Sequence, residues 1–412
     1  MAGAVEKSDI EKSLSKPAEQ ISIIQLVDYL IEYAYNSRAS DLHLDPGEEK
    51  IKVRFRIDGV MYESFILPKA IHSEVITRIK VLAGLRTDEH QAAQDGRLKF
   101  SIKDRKPPIS FDVRVSIVPT YYGEDAVLRL LTEQGQDFTL ESIGFSERDL
   151  KVVKKAITKP YGMILATGPT GSGKTTTLYT ILKILNTPQV SIITIEDPIE
   201  YSLEGVDQIQ VNTQTGLTFA NGLRSILRQD PNIIMVGEIR DEETAKIAIN
   251  AALTGHLLLS TLHTNDASTT LPRLLDMGVE PFLIASTVNI AIGQRLVRQI
   301  CANCKFKKKL SVSELSSLGQ SLPKEFLSKH DTFYEGKGCK ACGHTGYLGR
   351  IGIHEVLEIT EAIREAIVAR LSAAEIKKIA VSEGMATMIE DGLQKALKGV
   401  TTFEEILRVM HE

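Results

Sequence analysis

The residues best suited to chemistry form a glycine-rich stretch that fits the pattern G-x-x-x-x-G-K-[ST], which binds nucleotide phosphates. An apolar run at 163–167 precedes it, and residues 176–185 have a helical pattern. Glycines let backbone N–H groups converge on phosphate oxygens, and the N-terminus of the following helix adds a favourable dipole. We therefore predict an ATP-binding loop made of Gly168, Pro169, Thr170, Gly171, Ser172, Gly173, Lys174, Thr175 and Thr176.

Two residues of this loop have side chains with specific roles. We expect Lys174 to reach the β- and γ-phosphates and Thr175 to ligate Mg²⁺. The alternative is a plain glycine turn between a strand and a helix. The coincidence of strand, complete motif and helix favours the nucleotide loop.

Two further apolar runs end in carboxylates, Glu196 after residues 192–195 and Glu238 after residues 233–237. The second resembles a Walker B strand in which glutamate replaces the usual aspartate. Because α/β sheets bind ligands at the carboxyl ends of their strands, we expect Glu196 and Glu238 near the γ-phosphate. One would orient or deprotonate the attacking water, and the other would hold Mg²⁺ through water. The sequence leaves open which carboxylate has which role.

Two histidines flank the apolar run at 257–262. A lone histidine is usually a hydrogen-bonded core residue, and that alternative holds for each of them. Their position in a nucleotide-binding core favours a role as γ-phosphate sensors for His256 and His263.

The four cysteines form two C-x₂-C pairs separated by 34 residues, Cys301 with Cys304 and Cys339 with Cys342. Four thiolates suit tetrahedral Zn²⁺, and four protein ligands leave no open position, so the predicted site is structural. A redox dithiol or unligated reduced thiols are the alternatives.

Composition narrows the classes of function. Apolar residues make up 43% of the 412 residues and charged residues 25%, as in a soluble globular protein. The balance of 49 Lys+Arg against 53 Asp+Glu excludes a globally basic nucleic-acid binder. Tryptophan is absent and aromatic residues are 6%, which argues against base stacking, so we expect no nucleic-acid partner.

The first third of the chain predicts a flexible polar leader at 1–20 and an α+β domain at 21–132. Apolar residues from Ile23 to Ala34 have i, i+3, i+4, i+7 spacing, typical of a helix, and a second helix is predicted at about 70–83. Alternating apolar and polar residues predict strands at 41–45, 52–57, 98–102 and 110–118, with turns at 58–59 and 95–96. A linker is predicted at 133–140.

The remainder predicts a nucleotide-binding core at 141–300. Apolar strands that alternate with helices indicate a parallel sheet covered on both faces, and we predict such strands at 162–167, 191–196, 233–237 and 257–262. Residues 281–294 are predicted as a core helix, 301–350 as the metal-binding subdomain, and 351–412 as a helical region. In that region we expect helix caps at Thr360 and Thr401 and a break at Gly399.

Together these residues resemble the secretion superfamily of hexameric ATPases, and within it the type II secretion and type IV pilus assembly motors. The likeness extends over about residues 20–412. The motifs that carry it are ASDLH at 39–43, RFRIDG at 54–59, QDGR at 94–97, DVRVS at 112–116, GEDAVLRL at 123–130, EDPIEY at 196–201, TGHLLLSTLHTNDA at 254–267 and QRLVR at 294–298.

The resemblance implies an α/β fold: a RecA-like P-loop core, a smaller N-terminal α+β (PAS-like) domain, a tetracysteine zinc subdomain and a C-terminal helical region. It also implies a ring of six subunits, in which the N-terminal domain of one subunit packs on the core of its neighbour. Arg114 and Arg129 are the arginines expected to reach nucleotide phosphates there. A surface salt bridge is the alternative for each.

The function implied is ATP hydrolysis that drives assembly of pilin-like subunits through an inner-membrane platform protein. The protein would be cytoplasmic, and partners would hold it at the inner face of the membrane. The assembly and secretion branch of the family carries the four-cysteine element and the retraction branch lacks it, which favours an assembly motor. A retraction motor, a nucleotide-gated scaffold with negligible turnover and a nucleic-acid translocase are the rival hypotheses.

Overall fold

The computed structural model describes residues 5–103, 105, 107–131, 138–309 and 332–411 of the chain. The chain divides into two compact units, Met1–Gln136 and Asp137–Glu412. The predicted core, metal-binding subdomain and C-terminal region all belong to the second unit.

The described part of the first unit is an α+β domain, as expected. Its strands form one six-stranded sheet in the order β3-β2-β1-β6-β5-β4, and neighbouring strands are antiparallel. The elements are α1 (Lys7–Leu14), α2 (Ile23–Asn36), β1 (Ala39–Pro46), β2 (Lys50–Ile57), β3 (Val60–Pro68), α3 (His72–Ala83), β4 (Gln94–Ile102), β5 (Ile109–Thr120) and β6 (Gly123–Leu131).

Side chains alternate across this sheet, so that one face is apolar and the other polar. On β5, Val113 and Val115 are buried in the core, and Arg114 between them therefore lies on the opposite face. The apolar stripe of α2 belongs to the same core cluster, which confirms the predicted helix.

Two predictions for the first unit were wrong. Residues 1–20 contain a helix, α1, whose Ile10 is fully buried in the core, so the described part of this segment is not a flexible leader. Gly96 lies within β4 rather than in a turn. A Cβ there would come within 2.8 Å of the carbonyl oxygen of Ala83, so glycine is needed for close approach to α3.

The second unit is built on a seven-stranded sheet in the order β15-β12-β7-β11-β10-β8-β9. All neighbouring strands are parallel except β12 and β15, which are antiparallel. The strands are β7 (Gly162–Thr167), β8 (Ile192–Glu196), β9 (Asp207–Gln210), β10 (Ile233–Val236), β11 (Leu257–Leu262), β12 (Val288–Ile300) and β15 (Tyr347–Glu358); a separate hairpin pairs β13 (Lys305–Lys309) with β14 (Thr332–Gly336).

Helices cover both faces of this sheet. On β7, Met163 and Leu165 belong to one apolar cluster, whereas Ile164 and Ala166 belong to the cluster on the other face. The predicted parallel sheet is therefore confirmed. The helices are α4 (Glu147–Ile157), α5 (Lys174–Leu185), α6 (Phe219–Ile226), α7 (Glu242–Leu253), α8 (Ala267–Asp276), α9 (Pro281–Thr287), α10 (Glu361–Val368), α11 (Ala373–Ser382), α12 (Met388–Leu397) and α13 (Phe403–His411).

The predicted helix at 281–294 was wrong in its second half, because α9 ends at Thr287 and β12 begins at Val288. A strand buried on both faces has no polar alternation, so its sequence cannot be told from that of a buried helix. For the same reason, the predicted helical region at 351–412 begins with residues of β15 instead.

The C-terminal helices confirm one predicted cap and correct the other. The Thr360 hydroxyl accepts a hydrogen bond from the backbone of Ile363, and Gly399 lies just after α12 with φ +68°. Thr402, not Thr401, accepts from the Glu405 backbone at the start of α13, whereas the Thr401 hydroxyl donates to the Arg298 carbonyl.

Among the residues that the structure describes, no helix combines the length and the apolar character that a membrane crossing requires.

Candidate nucleotide site and cysteine cluster

The glycine-rich loop connects β7 to α5, as its pattern predicts. Gly173 precedes the first turn of α5 with φ +88°, a conformation that L side chains rarely adopt. A Cβ on Gly168 would come within 2.5 Å of the Gln294 carbonyl oxygen. Pro169, Thr170 and Gly171 form the exposed tip of the loop. The loop can therefore follow this path only with glycine at positions 168 and 173.

The ammonium group of Lys174 lies inside the curve of the loop. Its Nζ donates to the carbonyl oxygens of Gly168 at 2.8 Å and Pro169 at 3.0 Å. The pKa of Lys174 is lowered to about 8, because burial, together with the Arg295 charge, outweighs the opposing effect of the Glu238 charge. Phosphate oxygens at this position would restore a favourable partner for the buried cation.

Gln294, which was predicted only as part of the QRLVR motif, supports the loop through hydrogen bonds. The buried Gln294 on β12 donates from Nε2 to the Ser172 carbonyl at 2.7 Å, and its Oε1 accepts from the Thr177 hydroxyl at 2.8 Å. One amide thus ties the loop to the first turns of α5. The signal that could have found it is a polar residue inside an otherwise apolar run.

Glu238 and His263 lie just after the carboxyl ends of β10 and β11, at the same end of the strands as the glycine-rich loop. The Glu238 Oε2 lies 3.1 Å from His263 Nε2, and its Oε1 lies 2.6 Å from a guanidinium nitrogen of Arg240. The Glu238 carboxylate is nearly buried, and its charge acts on Lys174. The structure therefore brings Glu238 and His263 into contact, at the same end of the strands where β7 leads into the loop with Lys174.

Glu196 is more enclosed than Glu238, with 2% of its surface exposed. Its Oε1 accepts from the Thr194 hydroxyl at 2.6 Å and from Gln208 Nε2 at 3.2 Å, and its Oε2 accepts from the Tyr179 hydroxyl. Burial and the charge of Glu196 raise the pKa of Tyr179, so the phenol remains a proton donor. Glu196 is held in one orientation by three donors from three elements.

His256 does not join this group. It precedes β11 at the edge where Leu257 pairs with Gly162, the first residue of β7. The six-residue strand β11 puts about 17 Å between that edge and the phosphate loop. The His256 Nδ1 instead lies 2.9 Å from the Ala251 carbonyl at the end of α7. The structure therefore does not bring His256 to the phosphate loop of the same chain, and its role as a phosphate sensor stays a prediction.

Arg114 and Arg129 lie in the first unit, on adjacent strands and directly opposite one another. Arg129 Nε donates to Asp41 Oδ1 at 2.8 Å. Both arginines are on the polar face of the sheet, because the apolar residues that flank them in sequence point into the core. The arginine of the QRLVR motif at 298 has a structural partner, since its guanidinium lies 2.6 Å from Glu405 of α13.

The four cysteines form one cluster whose sulfur atoms all lie within 4.8 Å of one another. The Sγ–Sγ distances are 3.8 Å for Cys301 and Cys339, 3.9 Å for Cys304 and Cys342, and 3.8 Å for Cys339 and Cys342. A tetrahedral Zn²⁺ with Zn–S bonds of about 2.3 Å requires sulfurs about 3.8 Å apart. The donor set and its spacing therefore fit zinc, and the distances are too long for disulfides.

Backbone groups support this cluster. The N–H groups of Cys339 and Gly346 point at the Cys342 sulfur, at 3.2 and 3.3 Å. Burial acts to raise the pKa of Cys342, but these hydrogen bonds outweigh it and lower the pKa, which favours the thiolate that a metal needs. The cluster joins the end of β12 to the turn that precedes β15.

Comparison with known proteins decides the family. The sequence matches the family described as Type II/IV secretion system protein over residues 16–408. The chain belongs to this family. It is 47% identical over 403 residues to the type IV pilus assembly ATPase PilB of Thermus thermophilus, covering 97% of this chain and 44% of that protein. It is 46% identical over 410 residues to the type II secretion system protein E of Xanthomonas campestris, covering 100% of this chain and 71% of that protein.

The chain thus spans less than half the length of the Thermus relative. A solved structure, the Legionella pneumophila ATPase DotB, superposes with a TM-score of 0.69 over 97% of this chain and 98% of that chain, at 21% identity. This likeness supports the RecA-like fold that the family resemblance implied.

Proposed function

We propose that the protein hydrolyses ATP to ADP and phosphate, and that it does so within a ring of six subunits to drive pilin-like subunit assembly. The load would be a type IV pilus or a type II secretion pseudopilus. The observation that carries the proposal is the contact of Glu238 with His263 at the carboxyl ends of parallel strands, at the same end where β7 leads into the loop with Lys174. The two relatives support it, because they are named as a pilus assembly ATPase and a secretion protein.

The phosphate loop would bind the nucleotide through its backbone N–H groups and Lys174. The Thr175 hydroxyl, in the first turn of α5, would ligate Mg²⁺, which supplies charge neutralisation at the β- and γ-phosphates. Because Glu238 lies beside His263 just after the carboxyl end of β10, we assign the water-orienting role to Glu238. Glu196, which three donors hold in one orientation, would help to hold Mg²⁺ through water.

Arg114 and Arg129 would supply positive charge to a nucleotide bound by a neighbouring subunit. Charge develops on the γ-phosphoryl oxygens in the transition state, and an arginine from across an interface stabilises it. His263, beside Glu238, would register whether the γ-phosphate is present. Loss of phosphate would remove the partner of these groups and so link hydrolysis to domain motion.

The cysteine cluster would hold a structural Zn²⁺. With four thiolate ligands the metal has no open position, so its contribution is to tie β12 to the segment before β15. The cluster also favours assembly or secretion over retraction, since the resemblance associates this element with the assembly branch. An inner-membrane platform protein would then hold the ring at the cytoplasmic face of the membrane.

The experiment measures steady-state phosphate release against protein concentration, with molecular mass by light scattering in parallel. Wild-type turnover per subunit should rise as hexamers form. Glu238→Gln should bind ATP but turn it over about 100-fold more slowly. Glu242→Gln, which changes an exposed carboxylate at the start of α7, is the matched control and should behave as wild type. No turnover by the wild type in stable rings would instead support the nucleotide-gated scaffold.

A further inference from the structure

One row of charged residues crosses five neighbouring strands of the first unit. Direct cross-strand pairs connect Arg56 to Asp41, Asp41 to Arg129, Arg129 to Arg114, and Arg114 to Arg97. Directly paired residues point to the same face of a sheet, and here that face is the polar one. The row thus contains four arginines and one carboxylate.

Asp41 is the enclosed member of this row, with 5% of its side chain exposed compared with 59% for Arg129. Its Oδ1 accepts from Arg129 Nε at 2.8 Å, and its Oδ2 lies 3.5 Å from Arg56 Nε. The Ser40 hydroxyl also donates to Oδ2, at 2.8 Å. The register of β1 and β2 shifts between Ala39 and Asp41, and such a bulge re-aims the side chain that follows it.

The hydrogen bond from Arg129 Nε to Asp41 restrains the side chain of Arg129. Nε is the guanidinium nitrogen nearest the flexible stem, so a bond to it determines where the two terminal nitrogens lie. Without such a bond, the long side chain would sample many rotamers. The like charges of Arg129 and Arg114, directly opposite each other, would also repel the Arg129 side chain from its place.

We propose that Asp41 is a positioning residue that holds Arg129 in the orientation needed to meet a phosphate of the nucleotide in a neighbouring subunit. This proposal rests on the proposed function, because it assumes that Arg129 acts on nucleotide. Asp41 itself touches no substrate. It acts through the Nε bond and through partial neutralisation of the row.

The expected kinetic signature is a split between kcat and KM. Asp41→Asn keeps the shape of the side chain but removes its charge. A misplaced catalytic group lowers the rate by about 10- to 100-fold, so kcat should fall within that range. KM for ATP should stay within about twofold, because the Lys174 loop that binds the phosphates belongs to the second unit.

The test is a double-mutant cycle in assembled rings, with kcat and KM measured for the wild type, Asp41→Asn, Arg129→Gln and the double variant. If Asp41 acts through Arg129, Asp41→Asn lowers kcat in the wild type but adds nothing in the Arg129→Gln background. Asp45→Asn is the matched control, since Asp45 lies on the same strand and face as Asp41 but pairs with Arg54 of β2. It should leave kcat unchanged.

Three outcomes would overturn the proposal: normal turnover by Asp41→Asn, multiplicative losses in the double variant, or an equal loss in Asp45→Asn. If Asp41→Asn does not fold, as judged by thermal melting, Asp41→Ser replaces it in the same cycle. A wild type without turnover would refute the proposed function and this inference with it. An Arg129→Gln variant with full turnover would refute the role of Arg129 and this inference, but not ATP hydrolysis. If only Asp41→Asn gives the contradicting result, namely normal turnover, the inference is refuted but the proposed function is not.

Discussion

The hydroxyl of Tyr179 on α5 donates a hydrogen bond to the carboxylate of Glu196 at the end of β8, and both side chains are buried. The helix that follows the phosphate loop therefore also holds a predicted catalytic carboxylate. Movement of α5 on nucleotide binding would be transmitted directly to Glu196.

This contact predicts the behaviour of Tyr179→Phe. The change leaves the packing intact but removes one of three donors to Glu196, which costs about 1–3 kcal/mol for a buried polar group. We expect kcat for phosphate release to fall by about tenfold while the fold persists. Tyr201→Phe, in the ring that packs against Tyr179, is the control and should keep full turnover. Equal losses in both variants would contradict a specific role for the hydroxyl.

Gln294 predicts an effect on nucleotide binding. Gln294→Ala removes both bonds that tie the loop to α5, so the loop would lose its preorganised shape. We expect the Kd for a fluorescent ATP analogue to rise by about tenfold, equivalent to about 1.4 kcal/mol. Gln299→Ala on the same strand is the matched control, because its amide donates to the Arg350 carbonyl at the surface and not to the loop. An unchanged Kd for Gln294→Ala would show that the loop keeps its shape unaided.

The Lys174 pKa predicts how ATP binding depends on pH. Its pKa in the folded protein is lowered to about 8, so the charged form that binds phosphate is lost as the pH rises through 8. ATP affinity should fall by up to tenfold per pH unit above that value, and binding should take up protons. Calorimetry in two buffers of different ionisation enthalpy measures this uptake. Constant affinity from pH 7 to 9 would contradict it.

The lowered pKa of Lys174 also makes the free energy of unfolding depend on pH. The unfolded chain keeps the ordinary lysine pKa of 10.5, so between pH 8 and 10.5 the unfolded state binds more protons than the folded state. The contribution of Lys174 to the free energy of unfolding should therefore increase as the pH rises through that interval. Lys174→Met, which has no ionisable group, should lack that gain in urea titrations at pH 8 and pH 10.

The cysteine cluster predicts near-stoichiometric zinc in protein purified without chelator. Cys342→Ser removes one of four ligands and should lose the metal and lower the melting temperature by more than about 2–4 °C, the shift for 1 kcal/mol in a domain of this size. Thr345→Val, which changes a hydroxyl beside the cluster, should retain zinc. Metal analysis showing no zinc in the wild type would refute the four-thiolate site.

Several features could be predicted because they depend on neighbouring residues in the chain. The loop before α5 is determined by glycines and by Lys174 within a few residues of one another, and its strand and helix lie where the pattern predicts them. The strand at 257–262 has the predicted bounds. Each C-x₂-C pair forms a local turn, with the backbone N–H of its second cysteine bonded to the carbonyl of its first, so the spacing alone indicated that the two sulfurs of a pair face one site.

Other features depended on partners far away in sequence. His256 and His263 flank one strand, yet only the direction of β11 in the sheet decides which of them lies beside Glu238. Gln294 became visible as the support of the loop only when β12 was placed beside β7, 122 residues after Ser172. No local pattern contains that order of strands.

The sequence by itself determined the glycine-rich loop, the parallel core and the two cysteine pairs, because backbone sterics and side-chain periodicity act over a few residues. Only the tertiary structure decided that Ile10 of α1 is buried, that residues 288–300 form a strand, and that Asp41 lies between Arg56 and Arg129. The physical reason is the same in each case. Burial on both sides, or register across several strands, is a property of the assembled sheet, and the free energy that selects it comes from contacts between distant segments.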